Sequence, residues 1–143
     1  MSTRKIKGPF THGEEYSVFR VITNDEMKAL KATPLVVLQA PGAGWAYQVE
    51  RIYATCSAGT AWTETADNIL IEYTGGTDIL TIETTGFIDQ ATAQVRTQAV
   101  VATVLTPVAN EGIQITNADD EIGGGTATKT CTIQIIYRVV KAA

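Results

Sequence analysis

The sequence predicts an all-β protein, an antiparallel β-sandwich of jelly-roll type with one short helix and an extended N-terminal arm. Three observations lead there. Threonine is abundant, serine is scarce, and Val, Ile, Thr and Tyr fill the regular stretches, the residue types that suit a pleated, half-buried surface. Apolar and polar residues alternate in several of those stretches, as they do along a strand with one wet face. Breaks rich in Gly, Pro, Asn and Asp recur between them at hairpin spacing, which gives roughly eight strands and a sandwich, or a barrel as the alternative closure. A chain of 143 residues is long enough to bury a core without disulfides or metals and is expected to form one domain.

Residues 1–15 are polar, carry Gly8, Pro9 and Gly13 and show no periodicity, so they are expected to form the arm, ahead of a single domain over 16–143. Residues 16–22 are β-prone. Thr23-Asn24-Asp25-Glu26 has the form of a capping box, and Met27, Ala29, Leu30 and Ala32 follow it, which predicts one short helix stopping before Pro34. Residues 34–39 form a short apolar strand, 40–44 a turn, and 45–57 the first long strand. Within it Trp45, Tyr47 and Val49 share one parity while Ile52, Ala54 and Cys56 take the other, so the phase slips near Glu50-Arg51, as a β-bulge requires. Ile69, Ile71 and Tyr73 alternate with Asn68, Leu70 and Glu72, and Gly75-Gly76 turns the chain into a hairpin partner at 78–84. Residues 86–97 lack strict alternation and read as a loop with a helical turn. Residues 99–107 and 113–116 flank a turn at 108–112 and are expected to form a second hairpin, followed by a polar, glycine-rich loop at 117–126. In 128–140, Cys131, Ile133, Ile135, Tyr137 and Val139 share one face and Thr130, Thr132, Gln134 and Arg138 the other, with Ile136 the exception; this predicts a long strand.

The formal charge of −4 argues against a nucleic-acid partner, which demands a basic face to displace counterions from phosphates. No run is long and apolar enough to span a membrane, and the N-terminus has no secretory pattern, so a soluble protein is expected. Cys56 and Cys131 lack the paired spacing of zinc or redox sites and read as buried thiols; a disulfide between them demands neighbouring strands. The single histidine, His12, lies in the arm, which leaves the body without a Ser/His/Asp or Cys/His site. Glu50, Glu64, Asp67, Glu72 and Glu83 are scattered as solvated acids are, with nothing to fix a catalytic separation. The 117–121 loop collects oxygen ligands but lacks the alternation and central glycine of a calcium loop, and Gly123-Gly124-Gly125 has no following Lys-Ser/Thr, so it reads as a flexible turn. No enzyme activity, metal or cofactor is expected. Trp45, Tyr47, Tyr53, Trp62 and Tyr73 could form a sugar-stacking platform, although core packing accounts for most of them; Trp62, in the polar stretch 59–67, is expected to be exposed and suited to a ligand or a subunit contact.

Pro34-Leu35-Val36-Val37-Leu38, then Ala40-Pro41-Gly42-Ala43-Gly44, a long strand, a Thr-rich loop, Ile69-Leu70-Ile71-Glu72-Tyr73 and a closing strand ending Tyr137-Arg138-Val139-Val140 together resemble a group of small tailed-bacteriophage and prophage structural proteins, the capsid decoration or cement proteins. The pattern covers about residues 22–140, and residues 1–21 fall outside it. The resemblance implies a non-enzymatic β-sandwich made in the host cytoplasm and bound to the major capsid protein on the outside of an icosahedral head. There it would often sit as a homotrimer on a local three-fold axis, reinforcing the shell. Arg4, Lys5, Lys7 and Phe10 of the arm, with Trp62, are the expected contact residues, the basic ones meeting an acidic capsid surface as the arm gains order on assembly. A tail or head-fibre component is the alternative within that class, and a carbohydrate-binding module the alternative outside it.

Overall fold

The structure is a computed structural model that describes residues 12–63, 68–100 and 106–142. Its strands are β1 (Glu14–Ile22), β2 (Leu35–Leu38), β3 (Trp45–Cys56), β4 (Trp62–Thr63), β5 (Ile69–Tyr73), β6 (Asp78–Ile82), β7 (Gln94–Ala99), β8 (Ile113–Asn117), β9 (Gly123–Gly124) and β10 (Cys131–Lys141), with one helix, α1 (Asn24–Lys28). Two four-stranded sheets, β1-β10-β3-β7 and β2-β8-β5-β6, form the body, and β4 and β9 make a small third ladder. Every named pairing is antiparallel.

The pairing is nested. Setting the short β4 and β9 aside, the first strand pairs with the last, the second with the seventh, the third with the sixth, and the fourth with the fifth. A long hairpin rolled up in this way is the jelly roll, so the expected fold class holds. Consecutive strands β1 and β2 lie in opposite sheets, as do β2 and β3 and then β3 and β5, so each of these connections crosses from one layer to the other, whereas β5 and β6 form a hairpin within one sheet.

The core lies between the sheets. Ile52, Ala54 and Cys56 of β3, Ile133, Ile135 and Val139 of β10, Ile69, Ile71 and Tyr73 of β5, and Ile113 and Ile115 of β8 are all buried. Each large side chain there contributes about 1.5–3 kcal/mol relative to exposure. The phase slip in β3 is a bulge: Ile136 opposes Arg51 and Tyr137 opposes Val49, which leaves Glu50 as the extra residue. Glu50 is used, because its carbonyl accepts from Val100 N (2.9 Å) and its carboxylate from Arg138 Nε (2.8 Å).

Strand β1 begins two residues earlier than its composition indicates. Gly13 N donates to Val139 O (2.7 Å) and Lys141 N donates to His12 Nδ1 (2.9 Å), so backbone pairing with β10 holds polar residues that have no apolar alternation. The helix starts where the capping box places it, with both reciprocal bonds made between Thr23 and Glu26. It ends at Lys28, short of the expected stop.

Two expectations fail in the second half. Residues 94–99 are a strand, β7, although they lack the usual pattern. Here Gln94, Arg96 and Gln98 take the inward parity, and Arg96 and Gln98 reach across to donate to the carbonyls of Glu83 and Thr81 beside β6. Polar side chains thus close one rim of the sandwich, which inverts the signal a strand normally gives. Residues 101–105 of the expected second hairpin lie outside the described residues, and its other arm is already paired on both sides: β8 lies between β2 and β5, whereas Ala99 ends β7, which pairs with β3 in the other sheet. The turn at 108–112 exists, but Asn110 receives Gly42 N on its side chain and donates its own N–H to Trp45 O, so it packs on the 40–44 turn rather than joining neighbouring strands.

Candidate functional site

The outward face of sheet β1-β10-β3-β7 spans four strands, among them the two longest described, β3 and β10. Register fixes its rows: Ser17–Ile136–Arg51–Ala99, then Phe19–Gln134–Tyr53–Thr97, then Val21–Thr132–Thr55–Val95. Only Arg51 among these is charged, and Phe19 (47%), Val21 (50%), Tyr53 (38%) and Val95 (76%) are exposed to the extents given. The next row toward the bulge is Glu15–Arg138–Gln48. There Arg138 binds Glu50 (2.8 Å), Glu15 (3.4 Å) and the Gly13 carbonyl (2.7 Å), tying β1, β10 and the bulge together. One end of the face is therefore ionic and self-satisfied. The other is threonine-rich, apolar in part and nearly free of charge, a composition that loses little on desolvation and matches the charge-depleted centre of protein interfaces.

Beneath the ionic end lies an aromatic cluster. Tyr137 stacks at 5.7 Å from Tyr16 and edge-on at 5.4 Å from Tyr47. Burial, reinforced by the neighbouring Tyr47 and Tyr16, pushes the Tyr137 phenol up to about 12. Burial likewise raises Tyr47, whose hydroxyl donates to Gln39 O at 2.6 Å, and Tyr73, which donates to Tyr47 O at 2.6 Å.

Trp62 is not on the surface. It is fully buried, contrary to the expectation of an exposed contact residue, and its Nε1 donates to Asn24 Oδ1 (2.8 Å) at the start of α1. The polar composition around it misleads because the cover is backbone and lysine. Gly123 and Gly124 pair with β4, and Gly125, at φ +73°, lies so close that a Cβ there would run into both Asn24 and the indole. The glycine run is thus a close-fitting lid over Trp62. Lys129 completes it, fully buried, with Nζ 5.0 Å from the indole ring and donating to Gln90 O (2.8 Å) and Ser57 O (3.2 Å). No signal in the sequence distinguishes that lysine from a solvated one.

The other aromatics divide in the same way. Tyr47 and Tyr73 are buried, and only Tyr53 of the expected platform is exposed. Arg4, Lys5, Lys7 and Phe10 lie outside the described residues, as do Glu64 and Asp67. Glu72 accepts from Gln114 (2.7 Å) on the far sheet, away from Glu50 on β3. His12 sits beside Lys141 at one end of β10, whereas Cys131 is at the other. Ten residues of strand put them on the order of 30 Å apart. Among the described residues no group of three or more His, Cys, Asp or Glu side chains is placed to hold a metal. A cleft of about 480 Å³ runs along the β6–β7 rim, lined by Asn68, Thr81, Glu83, Arg96, Thr97 and Gln98. Arg96 and Gln98 in it are already engaged in closing that rim.

No protein-family model matches the chain, and no curated protein does. Among solved structures the chain is similar to a chain of the cyanophage Pam1 capsid asymmetric unit, at 12% identity and a TM-score of 0.49, over 96% of this chain and 93% of that one. A likeness at this level does not carry over that protein's partners or role.

Proposed function

We propose that this is a structural protein of a tailed-phage virion, a capsid decoration protein without enzymatic activity. It would act as a homo-oligomer, with a trimer favoured, bound to the major capsid protein on the head surface. The observation that carries the reading is the broad, nearly uncharged outer face of the β1-β10-β3-β7 sheet, which suits burial against protein better than recognition of a small polar ligand. Two further points support it. The jelly roll is an architecture that recurs in viral capsid proteins, a fold-level analogy only, and the segments carrying the sequence resemblance form β2, the turn after it, β3, β5 and β10. The basic arm, with Arg4, Lys5, Lys7 and Phe10, is the second contact in this proposal.

The test is co-sedimentation of purified protein with expanded empty capsids of its phage, with oligomeric mass measured by light scattering. The reading expects a stable oligomer and attachment in hundreds of copies per particle, on the order of one per capsid subunit group. A few copies per particle would indicate a tail or head-fibre part, and a monomer that ignores capsids would overturn the virion-surface reading. In the same assay Thr55→Lys, in the outermost row at the uncharged end of the face, should change stability by no more than about 0.5 kcal/mol while abolishing attachment. Removing residues 1–11, which spares all of β1, should leave the melting temperature in place and weaken attachment.

A further inference from the structure

We propose that Cys56 and Cys131 are a latent cross-strand staple, two thiols held in register to close into a disulfide when the protein meets an oxidant. The inference is independent of the virion reading. Cys56 ends β3, Cys131 begins β10, and the two are direct partners in the antiparallel ladder. Their side chains share the buried face, and both are free thiols.

The hydrogen-bond phase of the ladder decides whether they can join. The next pair outward is Ser57 and Thr130, where Ser57 N donates to Thr130 O (2.9 Å) and Thr130 N donates to Ser57 Oγ (2.9 Å). That pair carries the inter-strand bond, so by alternation the cysteines occupy the adjacent non-hydrogen-bonded site. There Cα atoms lie about 4.5 Å apart and side chains come closest. A disulfide accepts Cα separations of about 4.4–6.8 Å, so no strand has to move. The neighbouring Cys56 thiol, as hydrogen-bond partner, is the largest cause raising the Cys131 thiol well above its usual range, ahead of burial, while the Lys129 ammonium pulls the other way.

Burial and a raised thiol make the reaction slow, because exchange runs through the thiolate and needs access. Access comes from position, since the pair sits at the ends of both strands and opening only the Ser57–Thr130 closure would admit a small reagent. With a low-molecular-weight disulfide such as oxidised glutathione the chemistry balances. One thiolate attacks the reagent and expels a first glutathione thiolate. The second protein thiolate then attacks the mixed disulfide and expels another. Two electrons pass to glutathione, and the two thiol protons end on the two released glutathiones. The bond would tie a central strand of the sheet to its neighbour across a long loop, so its effect on the unfolded chain is large.

The experiment uses the full chain, purified reduced and then held with oxidised glutathione under native conditions. Intact mass should fall by two hydrogens, a non-reducing peptide map should show the Cys56–Cys131 link, and the melting temperature should rise by about 5–10 °C and return on reduction. Cys131→Ala should abolish the rise. Thiols that remain fully alkylatable after denaturation, stable capture of one glutathione per thiol, or disulfides only between chains would each overturn the proposal.

Discussion

At the scale of single residues, the unusual investment is the lysine under the glycine lid. Lys129 satisfies two loop carbonyls and the face of Trp62 from a fully buried position. Replacing it with methionine keeps the stem and removes the donors, so Lys129→Met should cost about 1–3 kcal/mol, read as a fall in melting temperature of roughly 3–10 °C. Tyr137 supplies a prediction in pH. Its phenol is held at about 12 in the folded protein, above the ordinary 10.0, so the native state binds that proton more tightly than the unfolded chain does. The stabilisation is complete below about pH 10 and is lost as pH rises through about 12. Denaturant midpoints should therefore decline across that window. In Tyr137→Phe the decline should shrink, though the raised Tyr47 and Tyr73 keep part of it.

Among the elements, α1 depends most on one side chain. Thr23 caps it, and Glu26 returns the bond while also reaching Arg20 of β1 at 2.5 Å. Thr23→Ala should cost about 1 kcal/mol, measured by chemical denaturation, with the rest of the fold unchanged. This cap was legible in the sequence because its chemistry is local, and so was the bulge at Glu50, because a bulge leaves its mark as a change of parity. The central strand β10 was legible through its one dry face, as was the β5–β6 hairpin through Gly75-Gly76. β7 was not, because its inward residues are hydrogen-bonding bridges to another strand and carry no apolar signal. The false hairpin at 108–112 has a related origin: a turn signature states that the chain reverses, not which sheet it enters. Trp62 escaped for the same reason as Lys129, since its burial is made by Gly123–Gly124, Gly125 and Asn24 arriving from distant positions. The uncharged face could not be read from the sequence until register aligned four strands.

At the scale of the whole molecule, the sheets assign different tasks to their two faces. One face of β1-β10-β3-β7 joins the core, and the other presents a broad surface whose single ionic knot, at Arg138, is confined to one end. Such a division lets the surface change composition with little effect on the packed interior, which is why Thr55→Lys is expected to spare stability. The nested pairing has a consequence for biosynthesis. Strand β10 lies between β1 and β3, yet it follows every other described strand in the chain. Until residues 131–141 have been made, β1 and β3 have no shared neighbour. Folding of this sheet therefore waits for β10, in the slow regime of non-local topologies. Translation that stalls before Cys131 would yield exposed strand edges prone to aggregation, not a smaller version of the domain.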